Sequence, residues 1–220
     1  MEGAGEKAFC AGGDIRALYD WGQTGDKTAI DFWREEYQLN TFIKRYPKPY
    51  VALMDGINMG GGVGLSVHGS HRVATERLTF AMPETGIGLF PDVGGTYFLP
   101  RAPGETGMDL ALTGARLKAA DAIYVGIADA YVPSERLETL KDRLAGGMPV
   151  REALAEVAEE EGPAPLASMQ AEIGAHFSGG AVSDILSSLR ADVSAWAAKT
   201  AATILTPSTV LSPLHICRFL

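Results

Sequence analysis

Between Asp26 and Tyr46, Phe32, Trp33, Tyr37, Leu39, Phe42 and Ile43 recur among charged and amide side chains. That spacing predicts an amphipathic helix, and Pro47 and Pro49 end it. Tyr50–Met54 is a short apolar run closed by Asp55-Gly56, the pattern of a strand and a turn. A glycine-rich segment follows, and beyond it Leu65 and Val67 predict a short helix. His71–Thr75 and Leu78–Met82 read as strands. Thr85–Gly104 reads as a long loop, ordered by Ile87, Leu89, Phe90 and Val93. Met108–Leu112 and Ala119–Val125 read as helices, and Ile127–Val132 as a strand. From Ser134 onward the chain is alanine-rich and helical. The alternation predicts an α/β core over residues 1–133, and the tail, residues 134–220, predicts a helical region.

The glycine-rich segment, GINMGGGVGLSVHG from Gly56 to Gly69, is no solvated linker, since Val63, Leu65 and Val67 interrupt it. Glycine inside an element weakens it by roughly 0.5–1 kcal/mol relative to alanine. Four glycines between Gly60 and Gly64 therefore indicate that something approaches the backbone itself. A second such turn, Cys10-Ala11-Gly12-Gly13-Asp14, also lies between strand-like and helix-like sequence. Two backbone N–H groups converging from these turns would form an oxyanion hole, so the expected visitor is a developing negative charge on a substrate oxygen.

Composition narrows the partners. The 27 acids against 19 bases give a net charge of −8, which argues against a nucleic-acid surface while leaving room for an anionic small molecule held by backbone dipoles. Two cysteines, Cys10 and Cys217, make neither a disulfide framework nor a metal cluster and fit a reducing compartment. The start lacks the basic and apolar regions of a signal peptide, and no run reaches the ~20 apolar residues of a membrane span. The expectation is a soluble, intracellular protein.

Familiar motifs are missing or incomplete. GxxxxGK[ST] does not occur, and Gly3-x-Gly5-x-x-Ala8 follows no strand, so a phosphate loop is not indicated. His68 and His71 lie three apart without a third metal ligand at convincing spacing. No GxSxG elbow is present. The acids carry more. Glu84 closes a strand-like run and Asp92 follows in an apolar, glycine-rich loop, where desolvation would raise a carboxyl pKa and suit acid/base work. The same spacing also fits Glu84 capping a turn and Asp92 satisfying loop amides. Glu36 interrupts the stripe Phe32, Leu39, Ile43, and spacing alone makes it a boundary residue whose head reaches water.

FCAGGDI (Phe9–Ile15), GINMGGGVGLS (Gly56–Ser66) and AMPETGIGLFPDVGGTYFLPR (Ala81–Arg101) together resemble the crotonase (enoyl-CoA hydratase/isomerase) superfamily. FWREEYQLN and PETGIGLFPDVGG resemble its thioester-hydrolase branch, which acts on CoA esters in branched-chain amino acid breakdown. The resemblance implies a spiral of ββα units with a helical C-terminal region that assembles homo-oligomers. Carried over, the oxyanion amides fall on Gly13 and Gly61, the substrate-contacting acid on Glu36, and the catalytic carboxylates on Glu84 and Asp92. The substrate is an acyl-CoA and no separate cofactor or metal is implied.

Hydratases of the superfamily carry a glutamate three positions after the second oxyanion glycine; here that position is Gly64, which disfavours hydration. A hydratase or isomerase and a non-catalytic acyl-CoA-binding or assembly fragment are the alternatives. The motifs also start and stop early relative to the family, so a chain truncated at both ends is expected. The implied compartment is the cytoplasm of a bacterium or the mitochondrial matrix of a eukaryote.

Overall fold

The computed structural model describes residues 1–206; Cys217 and the chain's proline-containing ending lie outside them. Six short strands form two parallel sheets: β1 (Ala8–Cys10), β2 (Val51–Met54), β3 (Ile57–Met59), β4 (His71–Ala74), β5 (Thr79–Ala81) and β6 (Ala130–Tyr131). One sheet has the order β1-β3-β5 and the other β2-β4-β6. Successive strands alternate between sheets, so each pass of the chain adds one strand to each and then a helical stretch. That is a ββα spiral. Register is regular in two of the pairs, Val51 to Met54 with His71 to Ala74 and Ile57 to Met59 with Thr79 to Ala81, and shifts between Ala8 and Cys10 where β1 pairs with β3.

The corners stack as well. Gly56 turns at φ 83°, and a Cβ there would stand 2.5 Å from the Lys7 carbonyl oxygen, so only glycine fits. Beside it Asp55 accepts from Thr75 Oγ1 at 2.6 Å and pairs with Arg77, tying the β2–β3 corner to the β4–β5 corner.

Two helices precede β2. α1 (Ile15–Thr24) is capped by the Asp14 carboxylate, which accepts from the Ala17 N–H at 3.0 Å. α2 (Thr28–Lys44) is the helix expected between Asp26 and Tyr46. Its inward face differs from the expected stripe: Ala29, Asn40 and Ile43 are buried, whereas Leu39 is 44% exposed. The polar Asn40, one turn beyond Glu36, takes the inward place that apolar pattern assigned to Leu39.

α3 (Gly61–Ser66) starts inside the glycine cluster rather than after it. The expected loop at Thr85–Gly104 is instead largely wound into turns: a 3-10 turn at Glu84–Ile87, α4 (Gly95–Phe98) and a second 3-10 turn at Leu99–Arg101. Buried Val93 and Leu99 anchor this stretch. α5 (Thr106–Thr113) and α6 (Ala119–Tyr124) follow. The expected strand at Ile127–Val132 shrinks to β6, because the Ile127 and Ala128 N–H groups both turn back to the Ala122 carbonyl.

The main core, including Met54, Val63, Phe80, Met82, Val93 and Leu110, lies between the sheets and α3 to α6. Each such side chain fully buried is worth roughly 1.5–3 kcal/mol. In the tail, α7 (Leu137–Ala145) and α8 (Val150–Val157) pack Leu137, Leu140 and Val157 onto Leu53 and Val73 of the β2-β4-β6 sheet. The line between residues 133 and 134 therefore runs inside a packed layer. α9 (Pro165–Ser168), α10 (Gln170–Phe177), α11 (Val182–Ala191) and α12 (Ala195–Leu205) complete the helical region. The last three share their own core of Ile173, Phe177, Ile185, Leu189 and Ala197.

Candidate active site

The glycine turn after β1 and the one after β3 meet. A Cβ on Gly61 would lie 3.5 Å from the Gly13 nitrogen, and one on Gly12 would lie 3.4 Å from the Gly61 nitrogen. Gly61 opens α3, so its N–H has no acceptor within the helix. Gly60, with φ 53°, makes the bend that turns α3 toward Gly12 and Gly13. Gly13, Gly61, Glu36, Glu84 and Asp92 all line one cavity of about 230 Å³. Sequence reasoning had reached these five residues from separate segments, and the fold gathers them.

What comes close to the glycine backbone differs from one glycine to the next. At Gly61 it is the Glu36 carboxylate, whose Oε1 is 2.6 Å from the place a Cβ would take. At Gly60 it is Glu84 Oε1, at 3.4 Å. At Gly62 it is the Cys10 carbonyl oxygen, at 2.1 Å, and at Gly64 it is Asn40 Oδ1 at 2.7 Å and Val93 Cβ at 2.9 Å. The expectation that a substrate oxygen explains the whole cluster is corrected here. Gly62 and Gly64 let α3 pack against β1, α2 and the Val93 loop, and only Gly60 and Gly61 face the cavity. Position 64 is filled from outside by Asn40 and Val93.

The acids share one electrostatic neighbourhood. Burial lifts the Glu84 carboxyl to about 7, with the nearby charges of Asp92 and Glu36 adding to the rise. Glu36 is lifted to about 7 as well, by burial first and then by Asp92. Burial also raises Asp92, partly offset by its own backbone N–H. Glu84 is 5% exposed, and neither of its carboxylate oxygens has a protein hydrogen-bond partner among the described residues; the same holds for Asp92 Oδ1. Glu36 is half-buried on the cavity side of α2, not at a water-facing boundary. Burial is the larger cause of each raised pKa, and like charge adds to it at the two glutamates, as in sites that move protons near neutral pH.

The rest of the cavity is apolar. Leu18 and Tyr19 of α1, Phe32 and Trp33 of α2, and Ile87 and Leu89 form its wall. Sequence reading found the last four only as apolar positions and did not single out Leu18 and Tyr19, because the stretch after Asp14 was read as helix-like without bounds or an inward face. Tyr37, read from the sequence only as an apolar position of that helix, lies near two of the acids. Its hydroxyl is raised by burial and by the charges of Asp92 and Glu36, with the Val93 N–H acting in the other direction. His68 and His71 go to structural contacts, His68 Nε2 to the Val93 oxygen at 2.7 Å and His71 Nδ1 to Ser70 Oγ at 3.0 Å.

A sequence model described as Enoyl-CoA hydratase/isomerase matches residues 1–216. This chain belongs to that family. Among curated relatives, 3-hydroxyisobutyryl-CoA hydrolase, mitochondrial, of Xenopus tropicalis is 53% identical over 94% of this chain and 57% of the relative. The Homo sapiens protein of the same name is 50% identical over 90% of this chain and 54% of its own length. The chain thus spans little more than half of the relatives it matches. Among solved structures, a carnitinyl-CoA dehydratase from Mycobacterium thermoresistibile matches with a TM-score of 0.88 and 46% identity, covering 97% of this chain and 62% of that one. An enoyl-CoA hydratase from Rhodobacter sphaeroides matches with a TM-score of 0.86 and 42% identity, covering 99% of this chain and 64% of that one. The fold is therefore the crotonase spiral. These relatives carry the names of different reactions, so the family alone does not choose one.

Proposed function

We propose that this chain carries the catalytic core of an acyl-CoA thioester hydrolase, with 3-hydroxyisobutyryl-CoA as the favoured substrate. One observation carries the reading: Glu36, Glu84 and Asp92 line the same cavity as the Gly13–Gly61 pair, while position 64 turns away from that cavity and is packed against Asn40 and Val93. The thioester carbonyl oxygen would accept from the Gly13 and Gly61 N–H groups, which stabilise the negative charge as the carbonyl carbon becomes tetrahedral. Removing one donor of such a pair typically costs roughly 3–4 kcal/mol of barrier.

Glu84 either attacks the carbonyl carbon itself or takes a proton from an attacking water. In both routes a C–O bond forms, the C–S bond breaks, and the CoA thiolate leaves and gains a proton; after direct attack, water then hydrolyses the mixed anhydride on Glu84, releasing the acid and restoring the carboxylate. Asp92 serves proton transfer and holds the acyl hydroxyl, with Glu36 orienting it. The apolar wall of Phe32, Trp33, Ile87 and Leu89 suits a short branched acyl group. CoA arrives as part of the substrate, so the chemistry calls for no separate cofactor. The matching compartment is the mitochondrial matrix in a eukaryote and the cytoplasm in a bacterium, with the full-length protein a homo-oligomer engaged in valine breakdown.

A hydratase is the second reading, supported by the printed names of the two similar solved structures. Product analysis separates them. Purified protein given 3-hydroxyisobutyryl-CoA is expected to release free thiol, which a thiol-reactive dye reads continuously. Hydration of an enoyl-CoA with no thiol released would overturn the hydrolase reading.

A further inference from the structure

Val93 is the sole described residue other than glycine with a positive φ, 41°, and its side chain is fully buried. A β-branched residue adopts left-handed backbone only when its surroundings impose it. Val93 follows Asp92 directly, so its backbone sets the course of the peptide that carries the acid. Asp92 Oδ1 has no protein hydrogen-bond partner among the described residues, which leaves the backbone to aim the carboxylate.

Among the groups around Val93 is the His68 imidazole. Its Nε2 lies 2.7 Å from the Val93 carbonyl oxygen. A carbonyl oxygen only accepts, so Nε2 carries the proton. The ring also lies against the next peptide: a Cβ on Gly94 would stand 2.8 Å from His68 Cε1 and 3.0 Å from Nε2. Gly94, at φ 87°, is therefore the residue that lets the ring approach. His68 sits just past the end of α3, the helix whose first residue is Gly61. One side chain thus connects the helix that presents an oxyanion N–H to the loop that presents an acid. Burial lowers the His68 pKa, which favours the neutral, single-proton ring.

We propose that His68 is a positioning residue that aims the Asp92 carboxylate by holding the Val93 carbonyl from the end of α3. It touches neither substrate nor reacting atoms and acts through the backbone. The catalytic part rests on the thioesterase reading above.

His68→Leu removes the donor and keeps an apolar side chain. His68→Gln restores a donor, since its amide nitrogen reaches about as far as Nε2. The expected result is a fall in kcat for thioester cleavage of about 10²-fold in the Leu variant, with KM nearly unchanged and most of the rate restored by Gln. In an Asp92→Asn background the Leu substitution should add little further loss, because both act on the same group. Losses that simply multiply, or full kcat in His68→Leu, would overturn the proposal. If the Leu variant does not fold, His68→Asn, whose amide stops short of Val93, takes its place in every comparison. Carbon-13 NMR titration of the Asp92 carboxyl supplies a readout that needs no turnover. A shifted midpoint in the Leu variant supports the positioning role even if the wild-type protein releases no thiol, in which case only the thioesterase reading falls. An unmoved midpoint together with unmoved kcat rejects the positioning role.

Discussion

His176 and Glu84 are almost equally buried, at 8% and 5% exposure, and their surroundings could hardly differ more. In the α10–α12 layer, His176 Nδ1 meets Ser188 Oγ at 2.8 Å and Nε2 meets Asp192 Oδ2 at 3.1 Å, with the Trp196 ring alongside. Asp192 also accepts from the Ser194 N–H at 2.6 Å. Serine, histidine and aspartate are the residue types of a hydrolase triad, yet here both ring nitrogens are taken up in joining α10 to α11 and the turn after it. In the cavity, Glu84 is surrounded by apolar walls and two other acids, and its oxygens have no protein partner among the described residues. A closed polar network stabilises the fold; an open buried acid costs stability and is available for chemistry. Residue type alone does not tell the closed cluster from the open one.

The contrast can be broken most sharply at Glu84. Glu84→Ala should lower thioester turnover by about 10³-fold while the protein keeps its fold and its affinity for CoA esters. A variant with ordinary turnover would make Glu84 a structural residue like His176. Stability offers the next test. Because the folded-state pKa of Glu84 is raised from 4.5 to about 7, the folded protein holds a proton that the unfolded chain has released between those values. Stability therefore falls as pH rises through that window. Glu84→Gln should stabilise the protein by about 3 kcal/mol near pH ~8, an upper bound, with the gain fading toward pH ~5. Urea melts at the two pH values would show it, and a destabilised Gln variant at the higher pH would refute it.

His176→Leu should do the opposite. It removes the bonds to Ser188 and Asp192 and should cost about 1–2 kcal/mol in urea melts, leaving thioester kcat unchanged. A fall in kcat would mean that the helical layer contributes to the cavity after all. The smallest effect is expected at Glu36, to which the proposed function gives an orienting part: Glu36→Gln should reduce turnover roughly tenfold with little change in melting temperature.

Much of this site was legible in the chain. Spacing made Glu84 and Asp92 candidates while fitting a turn cap and loop amides equally well, and it marked the two glycine turns; the family resemblance then singled out Gly13 and Gly61 within them. Glu36 was not legible by spacing, because an acid interrupting an apolar stripe is the same pattern whether its head meets water or a cavity. The resemblance of FWREEYQLN pointed to it, and α2 turns it toward Gly61. Asn40 was hidden by its polarity: pattern reads a polar residue as outward, and here its amide fills the space beside Gly64. His68 was hidden for another reason. Its partner is a backbone carbonyl in a distant loop, and no side-chain motif records that contact.

By itself the sequence determined the α2 helix, the strands at β2, β4 and β5, the alternation that makes an α/β core, and the two glycine turns, because these follow from local propensity and the spacing of apolar positions. Only the tertiary structure decided which glycine faces the cavity and which serves packing, since Gly61 lines the cavity and Gly64, three residues on, faces Asn40. It also decided which buried acids stand open and which polar clusters are closed. Those distinctions depend on what arrives from elsewhere in the chain, and a carboxylate's pKa and a glycine's necessity are both set by such neighbours rather than by the residues beside them in sequence.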